Sequence, residues 1–216
     1  MKISRANLLS LALVVISFVI ATATYSKLPE LSPTRFTPKP WGPFVLPLTM
    51  VGVFLLFLVI PRISPRGYRV ERFQGVFEIT QVALLALLFL VNMLVLLVGL
   101  GVPVPVPRAA RAGTGLLFVV LGNLMGKSTK NFFFGIRTPW TLASDEVWLR
   151  THRLGGKLVV LAGLVLLASS LLGGGAVWFL VTIPVAVGIP VVYSYVLYRR
   201  IEGFKNGTPD EGTPHG

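Results

Sequence analysis

Long uninterrupted apolar runs, separated by short basic or Pro/Gly-rich segments, dominate the chain. Six stand out, over residues 8–24, 44–60, 77–100, 113–125, 158–172 and 176–198. A helix needs roughly 20 apolar residues to cross a bilayer, with a range of about 17–25. The fourth run is short and is expected to draw on residues 109–112 and 126, and the fifth to start near Leu154. Because the runs are continuous rather than alternating, they do not read as barrel strands. Lipid offers no partner for a free N–H or C=O, so each run is read as a helix. The pattern predicts an all-α polytopic integral membrane protein with six transmembrane helices. Its expected organisation is a two-helix region over 1–76, a four-helix region over 77–202 and a disordered tail over 203–216.

The connections differ in kind. Residues 25–43 are Pro-rich, and Val102-Pro-Val-Pro-Val-Pro107 reads as a stiff extended segment. Gly173-Gly174-Gly175 is a minimal turn between the fifth and sixth helices. Pro184 and Pro190 should kink the sixth. The first run resembles a signal peptide, with Lys2 and Arg5 before it and Ala21-Thr22-Ala23 as a cleavage-like triplet. Its apolar length exceeds a usual signal core of about 7–15 residues, so a retained helix is expected.

Composition agrees with a bilayer setting. Of 216 residues, 54% are hydrophobic and only 13% charged. Soluble domains carry roughly 25% charged residues. The net charge of +12 would suggest nucleic acid in a soluble protein. Here its distribution points instead to membrane orientation, and no direct nucleic-acid partner is expected. With the N-terminus in the cytoplasm, the inner segments hold Lys2, Arg5, Arg62, Arg66, Arg69, Arg72, Lys127, Lys130, Arg137, Arg150, Arg153, Lys157, Arg199, Arg200 and Lys205. The outer ones hold only Lys27, Arg35, Lys39, Arg108 and Arg111. Basic residues concentrate on cytoplasmic loops, so both termini are placed inside a cell membrane. There is no Cys, and the two histidines are His152 and, in the polar tail, His215. A disulfide framework, a multi-His metal site and a cofactor are therefore not expected.

One inner segment, 122–157, is dense in aromatic, basic and hydrogen-bonding residues. Thr138 precedes Pro139 and is pushed toward extended geometry. Ser144 is placed to cap a helix whose first turn holds Asp145 and Glu146, complementing its dipole. Beyond it, Val147, Trp148, Thr151, Leu154 and Gly155 share one face, with Arg150, Arg153 and Lys157 on the other. This predicts a short amphipathic interfacial helix between the fourth and fifth spans. Two readings are open. In one, Phe132–Phe134, Trp140 and Trp148 form an interfacial belt and the bases touch anionic lipid. In the other, Asn131, Arg137, Thr141, His152 and Arg153 converge in a cytoplasmic-face site.

The run Gly122-Asn123, Asn131-Phe-Phe-Phe-Gly-Ile-Arg137-Thr138-Pro139-Trp140-Thr141-Leu142, Glu146-Val147-Trp148, Thr151-His152-Arg153 resembles the signature of the SdpI family. That family is named for the bacterial membrane protein giving immunity to the sporulation-delaying toxin. The resemblance covers about 113–198. Leu28-Pro29 and the helix after it also look like the small domain of unknown function that often precedes the family's core. A departure is Phe133-Phe134, where the family pattern has Asn-Tyr-Phe or a β-branched residue before the glycine. The resemblance implies six membrane helices, protection against a membrane-active peptide toxin, and signalling by holding a cytoplasmic transcriptional repressor at the membrane. It points to Asn123, Asn131, Arg137, Thr138, Pro139, Trp140, Thr141, Glu146, Trp148, Thr151, His152 and Arg153 as functional positions.

Polar groups within the apolar runs are a second candidate set, because they are costly in lipid. Glu78 and Gln81 lie one turn apart, Asn92 lies deeper, and Asn123 sits at the end of the fourth run. They carry the alternative function, a small transporter or channel. The competing explanation is headgroup depth for Glu78 and an interhelical hydrogen bond for Asn92. Gly115, Gly122 and Gly126 give the fourth helix a small face, and Gly122-xxx-Gly126 matches small-xxx-small packing. An enzyme built on His152 with Asp145 or Glu146 is not expected, because no nucleophile motif or metal cluster accompanies them.

Overall fold

The computed structural model describes residues 4–29, 41–64, 70–131, 133–175 and 177–205, and all regular structure among them is helical. Seven α-helices follow in order: α1 (Arg5–Thr24), α2 (Gly42–Ile63), α3 (Gln74–Gly99), α4 (Val106–Met125), α5 (Pro139–Ala143), α6 (Asp145–Leu171) and α7 (Val177–Lys205). Five of them, α1, α2, α3, α6 and α7, are long and apolar enough to cross a membrane. Their outward surfaces are lined by exposed apolar residues such as Leu8, Leu9, Leu55, Leu161, Leu180 and Val192. Such contiguous apolar exposure suits lipid rather than water. The chain is a multi-pass membrane protein.

The helices associate in two groups. α1, α2 and α3 pack on one another, α6 packs on both α4 and α7, and α3 also contacts α4. Small core clusters join the first group, with Met50 and Leu85 fully buried beside Val14. The polar groups of the apolar runs are used here. Gln81 donates from Nε2 to Asn7 Oδ1 and Ser10 Oγ, each at 3.1 Å, and Asn92 donates to Ser17 Oγ at 2.7 Å. All three ties run from α3 to α1. They are interhelical links of the kind that hold membrane helices together.

Three boundaries differ from the sequence expectation. α4 begins at Val106, because Pro107 is tolerated in the first turn, where a helix has no N–H partner to lose. The amphipathic segment is not a separate element. It forms the first turns of α6, which continues through Gly155-Gly156 without a break. α7 runs on to Lys205, past residue 203 where the tail was expected to begin; residues 206–216 lie outside the described residues, as do Lys2, the Pro-rich stretch 30–40, Arg66, Arg69 and Phe132. Both prolines expected to kink the last helix sit inside α7, and Pro190 is fully buried.

The α4–α6 contact explains why the glycine pair does not break the helix. A Cβ on Gly122 would lie 2.7 Å from the Gly156 carbonyl oxygen, and one on Gly156 would lie 2.6 Å from that of Gly122. Gly115 and Gly163 repeat the arrangement at 2.8 and 2.6 Å. The helices run antiparallel, with glycines seven residues apart on each. That spacing is two turns, and it keeps one seam facing the partner. The four-residue motif expected on α4 is therefore not the one used. A Cβ on Gly126 would meet only Arg153, at 3.8 Å.

Candidate functional site

The segment from the end of α4 to the start of α6 folds back on itself. Asn131 is fully buried and organises the first half. Its amide donates to Ser128 Oγ and the Thr129 carbonyl, both at 2.8 Å, and its Oδ1 accepts from the Phe133 and Phe134 N–H groups at 2.8 and 2.7 Å. An Asx side chain is suited to this because its short amide can imitate a backbone turn. Lys130 reaches across to Asp145 at 2.7 Å, bringing the loop to the N-terminal end of α6.

His152 fastens the second half. Its Nε2 accepts the Ile136 N–H at 3.0 Å, and its Nδ1 lies 2.8 Å from the Trp148 carbonyl. An imidazole nitrogen that accepts a backbone N–H carries no proton, so Nδ1 is the donor and the ring is neutral. Trp148 is buried, stacks on His152 with ring centroids 3.8 Å apart, and donates from Nε1 to the Ser128 carbonyl at 2.9 Å. Gly135 makes the close approach possible. Its φ is +108°, and a Cβ there would fall 2.1 Å from His152 Nε2. Thus one residue on α6 holds the loop at a position only glycine can occupy.

The next turn is a second built unit. Thr138 is extended and caps the one-turn α5, with Thr138 and Thr141 capping each other reciprocally. Thr141 Oγ1 donates toward the Ile136 and Thr138 carbonyls, both at 2.9 Å, and accepts the Thr138 N–H at the same distance. Trp140 donates to Ser194 Oγ on α7 and meets Tyr195 edge-on at 5.3 Å. Pro139 occupies the first helical position, where its missing N–H costs nothing. Ser144 stands at the N-cap of α6 without a side-chain cap bond, while Asp145 and Glu146 lie in the first turn as expected.

The structure thus sorts the sequence candidates into two sets. Asn131, Thr138, Trp140, Thr141, Trp148 and His152 form a latch joining the loop to α6 and α7. Thr151 is fully buried beside them, its hydroxyl without a hydrogen bond among the described residues. Arg137, Glu146, Arg153 and Asn123 do not converge with them: all four are exposed. Glu146 pairs with Arg150 one turn on, at 2.5 Å. Arg137 has no hydrogen bond or ion pair among the described residues, and lies beside an apolar cleft of about 420 Å³ bounded by α4, α6, α7 and residues 134–138. In the other set, Glu78 accepts from Gln74 at 2.9 Å and lines a cleft of about 330 Å³ with Gln81 and Arg62. No cluster of metal-ligating residues occurs among the described residues.

Sequence reasoning missed Gly135, Ser128 and Ser194 as site members. Gly135 was legible only as part of the motif, since nothing local reveals which side chain it must admit. Ser194 lies on α7, and only the tertiary fold brings it to Trp140.

The latch coincides with a known family segment. Residues 127–194 match the SdpI/YfhL protein family. The match opens beside Ser128 and closes on Ser194, so it encloses nearly every latch residue. The resemblance extends further: the chain is 26% identical over 209 residues to the protein named Immunity protein SdpI of Bacillus subtilis (strain 168), covering 92% of this chain and 99% of that one. The SdpI resemblance read from the sequence is thereby shown. No solved structure matches the chain.

Proposed function

We propose that this chain is a toxin-immunity protein of the cell membrane, working through the face built by residues 122–157. The observation that carries the reading is the similarity to a protein named for immunity, spread over nearly the whole of both chains. The latch adds a physical reason to look at this face. Its buried members fix a short loop on α6 and α7 and leave Arg137 exposed beside it. A rigid scaffold presenting an exposed cation is how loops position binding groups.

In this reading the bundle has six spans, α4 being the sixth. Arg108 at the start of α4 donates to the Leu171 carbonyl at the far end of α6, at 2.7 Å. A cation is favoured there, at a helix C-terminus, and its long stem can reach the interface. α4 then crosses the same depth as α6, against which it lies antiparallel. The early turns of α6 lie in the cytoplasmic interface, with Arg150, Arg153 and Lys157 toward headgroups. Both termini are cytoplasmic. The partners are a membrane-active peptide toxin and, for signalling, a cytoplasmic transcriptional repressor docked on the exposed side of the loop.

The test is expression of this chain in a bacterium lacking its own SdpI protein, challenged with the sporulation-delaying toxin. Survival above an empty-vector control is expected, and equal killing refutes the reading. A transporter or channel is less well supported, because Gln81 and Asn92 are tied to α1 rather than facing a continuous polar path.

A further inference from the structure

Among the described residues Arg137 has no hydrogen bond or ion pair, and it borders an apolar cleft. The cleft beside it is walled by Leu121 and Met125 of α4, Phe134 of the loop, and Val187 and Val191 of α7. Apart from Arg137 and Thr138, its lining is apolar side chains and Gly135. A free guanidinium beside an apolar slot is complementary to an anionic amphiphile, a molecule with an acyl chain and a charged head. Size and position separate three sources of such a ligand. A peptide helix is about 10 Å across with its side chains, so roughly one turn would fill 420 Å³. Free phosphate would leave the apolar walls uncovered. An acyl chain fits a slot between membrane helices, and the inner leaflet is rich in anionic lipid.

We propose that this cleft is a specific site for one anionic phospholipid, its acyl chain lying along α4 and α7 and its phosphate clamped by Arg137. The guanidinium fork matches two phosphate oxygens, which an ammonium does not. The bound lipid packs against Phe134 and so stiffens the loop carrying the latch. The site depends on membrane embedding and goes beyond the immunity reading, so it stands or falls separately from toxin survival.

The test uses the full chain, reconstituted in nanodiscs of equal phosphatidylglycerol and phosphatidylcholine, re-extracted in mild detergent and examined by native mass spectrometry. The wild type should retain one phosphatidylglycerol per chain in preference to phosphatidylcholine. Arg137→Gln should reduce that retention by about tenfold or more, the size expected for a charge-assisted pair. Val187→Phe, which narrows the cleft and keeps the cation, should lose it too. Val191→Phe repeats the test should that variant not purify as monodisperse protein. Equal retention of both lipids by the wild type overturns the proposal. So does undiminished phosphatidylglycerol in Arg137→Gln, or in both cleft variants, since surface charge alone would then account for it.

Discussion

His152 and Gly135 form a matched pair, and neither is replaceable on physical grounds. Removing the imidazole leaves the part-buried Ile136 N–H without its acceptor, at a cost of up to about 1–3 kcal/mol, the range for a fully buried donor. His152→Ala should therefore lower the thermal midpoint measured in detergent. Gly135→Ala should cost more than the roughly 1–2 kcal/mol of a left-handed alanine, because its Cβ also strikes the ring. If both variants melt with the wild type, the latch is not holding the loop. The same geometry predicts a neutral ring with the proton on Nδ1, checked by nitrogen NMR of labelled histidine; a proton on Nε2 would contradict it. Trp148 belongs with this pair rather than in an interfacial belt: it is 2% exposed and its indole N–H is engaged. Trp148→Phe should accordingly destabilise, not merely reorient, the loop. The motif was legible in the sequence from Gly122 to Arg153, but its division was not. The residues expected to converge separate into buried latch and exposed cations, because a neutral side chain whose hydrogen bonds are met can be buried, whereas a charge without a counter-ion is held at the surface by its desolvation cost.

At the scale of elements, the contact most dependent on small residues is α4 against α6. Five of the six expected runs correspond to helices long and apolar enough to cross a membrane, since apolar length is a local property and survives without tertiary information, while the fourth lies in α4, which is helical but less apolar. What the sequence could not reveal is which glycines face one another. Gly122 and Gly126 were four apart and looked like a motif, whereas the fold pairs Gly122 with Gly156 and Gly115 with Gly163. That register belongs to two helices and is invisible on one. The continuity of α6 was hidden for the same reason: Gly155-Gly156 weakens a helix alone, but Gly156 permits the close approach to α4. Gly156→Leu should separate the helices and reduce the amount of folded protein in the membrane. Gly126→Ala, whose Cβ meets nothing closer than 3.8 Å, should be neutral. Membrane abundance of the two variants by immunoblot checks this, and equal loss in both would place the seam elsewhere.

For the molecule as a whole, charge and fold make one joint statement. Arg108 and Arg111 begin α4, while Lys127, Lys130, Arg137, Arg150, Arg153 and Lys157 cluster around its other end and the start of α6. A reporter fused at Pro105 should read outside, and one at Ser144 should read inside; the opposite result inverts the topology. The proposed protective function depends on the latch presenting Arg137. Arg137 is exposed and has no partner among the described residues, so changing it should leave folding untouched. Its fork geometry should matter as well as its charge. The most direct measurement is survival under the sporulation-delaying toxin for wild type, Arg137→Ala and Arg137→Lys at matched membrane abundance. The expected result is protection by the wild type and its loss in both variants; wild-type protection from Arg137→Ala at equal abundance would contradict the account.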